Sequence, residues 1–195
     1  MINSTITSWR NPFKDYGKDE ADEKRYEMTL RKLPPHLTGT ALDLGVDNPL
    51  TPILKQTYPK LEIINTPAKN DFDVDSLPFA DKSFDTIFSF EVLEHLMNPL
   101  WNFLECRRVL KDKGTVYLTT PKGVFPSSIM WSERHFHEMD SKRLHTLSER
   151  AGLRIKRIER FNKSPFYYWK TGIIRPTLRL LFGGWFYLEM EKINR

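Results

Sequence analysis

Asp75-Ser76-Leu77-Pro78-Phe79-Ala80-Asp81-Lys82-Ser83-Phe84-Asp85 runs through Thr86-Ile87-Phe88-Ser89-Phe90 into Glu91-Val92-Leu93-Glu94-His95-Leu96. Within it Phe84 to Phe90 (FDTIFSF) reads as a buried strand, and Glu91 stands at its carboxyl end. Pro99 to Leu110 follows as a helix with Leu100, Phe103, Leu104 and Leu110 on one stripe. Gly114 to Thr120 (GTVYLTT) is the next strand, stopped by Pro121. Strand, helix and strand in this order point to a parallel pair joined by a crossover.

The same alternation extends outward. Asp19 to Leu33 is charge-rich with Tyr26, Leu30 and Leu33 at helical spacing, and Pro34-Pro35 closes it, so an amphipathic helix is expected against a sheet. Thr40 to Gly45 is a short apolar run ending in glycine, a buried strand opening into a turn. Leu61 to Asn65 (LEIIN) is a second strand, and Phe72 to Asp75 is expected as a brief third. Downstream, Ser141 to Ala151 reads as a helix and Gly152 to Phe161 as an alternating strand. Trp169 to Phe182 is expected to be helical, and Gly183-Gly184 breaks to a last strand, Trp185 to Met190. Two late strands around one insertion imply an antiparallel edge on a mostly parallel sheet.

The chain has 195 residues, 39% hydrophobic and 28% charged, which fits one domain with one sizeable core. We divide it into a helical region at 1–36, a ligand-binding core at 37–121 and an acceptor-side region at 122–195. Cys106 is the single cysteine, so no intramolecular disulfide is available, and its setting in a helix reads as packing. Met1 to Arg10 has no apolar run of the signal-peptide kind, and no segment reaches the ~18 apolar residues of a membrane span. The expected location is the cytoplasm. The charge of +5 is concentrated between Lys142 and Arg179, where only Glu149 and Glu159 oppose eleven basic residues. That stretch suits an anionic partner or a solvated face.

The central segment resembles the class I methyltransferases of the "type 11" kind, whose pattern reads D-x-x-LPF-x-D-x-SFD, then VLEHL, then RVLK-x-x-G. Asp75 to Asp85, Val92 to Leu96 and Arg108 to Gly114 match it in order and register. Leu42-Asp43-Leu44-Gly45 is similar to the start of the family's first motif. The resemblance implies a Rossmann-like, doubly wound, mostly parallel sheet of seven strands with its last antiparallel, and the short link before Phe72 adds the expectation of a reduced third-strand edge. It also implies S-adenosylmethionine as cofactor. By position, Asp43 and Gly45 would line the methionine end, and Asn65 would stand where the ribose is held. Asp75 and Leu77 would sit at the adenine, Phe90 and Glu91 would flank the sulfonium, and His95 would order that loop.

Three departures fall on the cofactor side. Gly45 is followed by Val46-Asp47-Asn48-Pro49 where the family continues G-x-G-x-G. Pro49 cannot donate an N–H, and the Asp47 carboxylate would oppose that of the cofactor. Asn65 replaces the usual acid and forgoes a charge-assisted bond to the ribose diol. Only Thr66 to Asp71 separate the second and third strands, whereas a helical crossover needs at least ~10–12 residues.

Methyl transfer asks the protein mainly for alignment, with a base where the acceptor must lose a proton. His135-Phe136-His137-Glu138 follows the fifth expected strand, and an extended backbone would point His135 and His137 the same way. Either is a candidate base, or a tie between loop and body. These histidines with Glu138 lack a distant further ligand in the sequence, so no metal site is expected. Two other readings stand beside the enzyme: a non-catalytic scaffold that keeps the fold, and a nicotinamide-dinucleotide enzyme that would leave the LPF and VLEHL segments unexplained. The acceptor is expected to be small, anionic or lipid-linked. Phe161, Phe166, Tyr167, Tyr168 and Trp169 among basic residues would alternatively stack on nucleic acid, lie at a membrane surface, or pack the last helix and strand.

Overall fold

A computed structural model describes residues 20–45, 49–123, 135–162 and 183–193. Eleven elements follow one another along these residues. They are α1 (Glu20–Leu30), β1 (Gly39–Asp43), α2 (Leu50–Thr57), β2 (Leu61–Asn65), β3 (Phe84–Phe90), a 3₁₀ turn (Leu93–His95), α3 (Pro99–Val109), β4 (Leu110–Pro121), α4 (Ser141–Arg150), β5 (Leu153–Phe161) and β6 (Trp185–Lys192). The six strands form one sheet in the order β2-β1-β3-β4-β6-β5. β2, β1, β3 and β4 run parallel, and β6 is antiparallel to both β4 and β5. This is the expected doubly wound sheet with an antiparallel last strand.

Alternation along the strands splits the core between the two faces. Leu42, Val116, Leu118, Leu188 and Met190 join Phe103, Cys106 and Val109 of α3 and Leu144 of α4. Their neighbours Ala41, Phe88, Tyr117 and Tyr187 join Tyr26 of α1 and Leu50 and Leu54 of α2. Helices thus cover both faces. On α3 the buried side is Asn102, Phe103, Glu105, Cys106 and Val109, while Leu104, expected on the apolar stripe, is 40% exposed. Burial pushes the Cys106 thiol up to about 12, which fits packing and not nucleophilic use.

The expected strand Phe72 to Asp75 does not form, and six strands, not seven, are present among the described residues. Its residues are engaged elsewhere. Asp73 Oδ1 accepts from the amides of Met97 (2.9 Å) and Asn98 (2.7 Å). Trp101 Nε1 donates to the Asp75 carbonyl and the Leu77 amide to Glu105 Oε2. A segment stitched to the start of α3 cannot also lie beside β2. The expected helix Trp169 to Phe182 lies outside the described residues, as does the aromatic run Phe166 to Trp169. No helix among the described residues is long and apolar enough to cross a membrane.

Candidate active site

Strand order reverses between β1 and β3, so the crevice beyond their carboxyl ends is where an open α/β sheet takes a ligand. Register puts Asp43 beside Asn65 on one side and Phe88 on the other, so Gly45 and Phe90 reach the same level. Gly45 has φ +114°, and none of the described residues stands within 4 Å of where a Cβ would be. Its turn is fixed by Thr66, whose hydroxyl accepts from the Gly45 amide at 2.8 Å and donates to the Gly45 carbonyl at 3.1 Å.

Asp43 is buried at the base of the crevice. Its Oδ2 accepts from Thr51 Oγ1 on α2 at 2.6 Å and from Asn65 Nδ2 at 3.2 Å. Asn65 Nδ2 also donates to Thr51 Oγ1 at 3.3 Å, which leaves the side-chain carbonyl of Asn65 as its acceptor. Pro49 caps α2 without a side-chain hydrogen bond. Asp47 lies outside the described residues.

Glu91 closes the other wall in the left-handed region, at φ 57°. For a residue with a side chain this is a strained conformation of the kind found at ligand sites. Its Oε2 accepts from Arg25 Nη1 of α1 (3.0 Å) and Trp185 Nε1 of β6 (2.8 Å). Its buried Oε1 has no partner among the described residues. Phe90 is half-buried with its ring 5.4 Å from that of Phe88. Asp75 is exposed, and its Oδ2 accepts from the Asp71 amide at 2.8 Å. Leu77 lies in the core with its amide on Glu105 and its carbonyl on Arg108, so its side chain does not face an open surface.

The histidines separate. His95 and His135 stand edge to face with centroids 5.0 Å apart, and His135 Nδ1 lies 2.6 Å from Glu138 Oε1. His137 instead lines a cavity of about 630 Å³ with Leu100, Phe136, Met139 and Leu147, together with Glu138 and the basic Lys142, Arg143 and Arg150. The two histidines therefore stand in different surroundings. Phe136 and His137 amides both donate to the Glu94 carbonyl, which ties this loop to the turn after β3. Glu94 is 1% exposed, and desolvation, then the nearby Glu91 charge, holds its carboxyl well above the usual range.

The basic stretch is partly neutralised by β6. Lys156 pairs with Glu191 at 3.1 Å and Arg157 with Glu189 at 2.9 Å, and Arg154 also meets Glu191. Sequence reasoning did not single out Arg25, Thr51, Thr66 or Trp185. They come from separate parts of the chain, and nothing in the local sequence of each marks it.

Comparison with known proteins agrees with this geometry. Residues 44–118 match the family model of a methyltransferase domain. A probable S-adenosylmethionine-dependent methyltransferase of Mycobacterium tuberculosis is 30% identical over 71 residues, 36% of this chain and 24% of that protein. One of Mycolicibacterium smegmatis is 26% identical over 118 residues, 59% of this chain and 44% of that protein. The chain therefore spans less than half the length of these relatives. Among solved structures, a chain assigned as a methyltransferase, solved with the Haloferax volcanii Trm112 methyltransferase activator, superposes with TM-score 0.69 at 16% identity over 100% of both chains. A Haemonchus contortus phosphoethanolamine N-methyltransferase, solved with S-adenosyl-L-methionine, gives 0.61 at 15% identity over 87% of this chain and 52% of that one. Sheet order, the antiparallel closing strand and the matched segment are similar to those of class I S-adenosylmethionine-dependent methyltransferase domains.

The residues present fit the cofactor of the class. Open space over Gly45 admits close approach to the backbone, the Asn65 carbonyl can accept from a hydroxyl, and the orphaned Glu91 oxygen can accept from an ammonium group.

Proposed function

We propose that this chain binds S-adenosylmethionine beyond β1 and β3 and methylates a small or anionic acceptor held on the side of the His137 cavity. The observation that carries the reading is the open, left-handed Gly45 at the switch point, walled by Asn65 and Glu91. When bound, the cofactor supplies a methyl group already activated by its sulfonium. The chain's own residues position and exclude water. Asp43 and Thr66 hold the Gly45 turn, and Glu91 presents an acceptor from a fixed, strained backbone. Asp75 anchors the loop expected beside the adenine. Phe90 narrows the crevice, and His95 with the Glu94 carbonyl keeps the acceptor-side loop in place. His137 is the candidate base, because it lines the cavity. Lys142, Arg143 and Arg150 outnumber Glu138 in the lining beside apolar Leu100, Phe136 and Leu147, which suits an anionic or lipid-linked acceptor. Pairing of Arg154, Lys156 and Arg157 with β6 carboxylates weakens the nucleic-acid reading.

Calorimetric titration with S-adenosylmethionine, S-adenosylhomocysteine and NAD tests the proposal. Micromolar binding of the first two and none of NAD is expected. The scaffold reading rests on Asn65, whose N–H groups are committed to Asp43 and Thr51, and on Pro49 at the start of α2. Absence of binding by all three ligands would favour it.

A further inference from the structure

Away from the Gly45 crevice, the turn after β3 and the 135–139 loop bring three ligand-type side chains together. One donor atom each from Glu94, His95 and His135 lies within 4.8 Å of the other two. We propose that these residues bind one divalent transition-metal ion of the zinc type, which fastens the acceptor-side loop to the turn.

The sequence supplied the two histidines of the loop but no distant partner. Folding supplies it, because Glu94 and His95 arrive from the end of β3. Tetrahedral zinc with bonds of about 2.0–2.2 Å sets its donors about 3.3–3.5 Å apart. Closing on the ion therefore asks only for small side-chain rotations. The surroundings are those of an oriented ligand set. Glu138 Oε1 lies 2.6 Å from His135 Nδ1, and a carboxylate on one ring nitrogen is the arrangement that supports metal binding through the other. Thr120 Oγ1 donates to Glu94 Oε2 at 3.2 Å and orients that carboxyl group. The amides of Phe136 and His137 on the Glu94 carbonyl keep loop and turn in register before any ion arrives.

Glu91 and Glu94 place two buried carboxyl groups in one turn, and the Arg25 contact is made at Glu91. Two imidazoles and one carboxylate favour zinc, cobalt or nickel over magnesium or calcium. Three protein ligands leave a fourth position for water.

The experiment uses the full chain, stripped with a chelator and titrated with Zn²⁺ by calorimetry and with Co²⁺ by visible absorption. One equivalent of each should bind, and Co²⁺ should give the intense bands of a tetrahedral site. His95→Ala and His135→Ala should each abolish that spectrum, while His145→Ala, on an exposed position of α4, should keep it. Glu138→Gln retains all three ligands and should weaken Zn²⁺ by about 10–100-fold. Circular dichroism checks that each variant folds. The proposal is overturned if the native chain takes up no Zn²⁺, or if His95→Ala and His135→Ala bind it as the native chain does. No cofactor is in the cell, so the outcome is independent of the methyltransferase reading.

Discussion

At the scale of single residues, Asn65 shows how a departure from the family pattern is absorbed. Its amide donates to a buried carboxylate, Asp43, at 3.2 Å. Asn65→Asp would replace that donor with a second negative charge. We expect it to lower stability by about 1–3 kcal/mol, the cost of an unsatisfied buried polar group, read from urea denaturation. Unchanged stability would mean that the Asp43–Asn65 contact contributes nothing. Glu91 gives the complementary case. Arg25→Met leaves the buried Glu91 charge with Trp185 as its side-chain partner among the described residues, and a loss of about 3–5 kcal/mol is expected. Adding Glu91→Gln should recover part of it. A double variant no more stable than Arg25→Met would show that the charge is not the cause.

At the scale of elements, the LPF and RVLK segments are legible in the sequence as a motif, and the structure gives the reason they travel together. Glu105 accepts from the Leu77 amide and from Arg108, whose guanidinium also reaches the carbonyls of Leu77 and Phe79 and the Asp81 carboxylate. One ion pair on α3 thereby fixes the connection leading into β3. The Arg108 guanidinium holds the Glu105 carboxyl below its ordinary range. Folded Glu105 releases its proton at lower pH than unfolded Glu105. Its stabilisation is therefore complete above the ordinary carboxylate range and is lost as pH falls through the depressed value. Urea midpoints across the acid range should decline less steeply for Glu105→Gln, and an identical slope would sink the argument. The missing third strand belongs to this scale as well. Alternation could not reveal that Asp73 is spent on the Met97 and Asn98 amides.

At the scale of the molecule, ligand linkage is the measurement that joins fold to function. S-adenosylmethionine at one hundred times its dissociation constant should stabilise the chain by about 2.7 kcal/mol, visible as a rise in melting temperature. A scaffold without a working crevice would show no rise. The α1 helix takes part in that crevice, because Arg25 and Tyr26 tie it to Glu91 and to the second core face. Lys32, just beyond α1, pairs with Glu159 of β5 at 2.6 Å.

The sequence by itself determined the alternation of strands and helices, the glycine after β1, the carboxylate after β3 and the antiparallel close. These are carried by periodicity and by short motifs whose residues are neighbours in the chain. It also marked Asp43, Gly45, Asn65 and Glu91 by position. It did not separate His135 from His137, because an extended segment looks alike from either residue until something packs against it. Nor could it show that Arg25 and Trp185 meet on Glu91, or that Glu94 and His95 face His135. Those contacts join residues far apart in the chain. Only the closing of the sheet and the docking of α1 and the 135–139 loop onto its carboxyl end decided them.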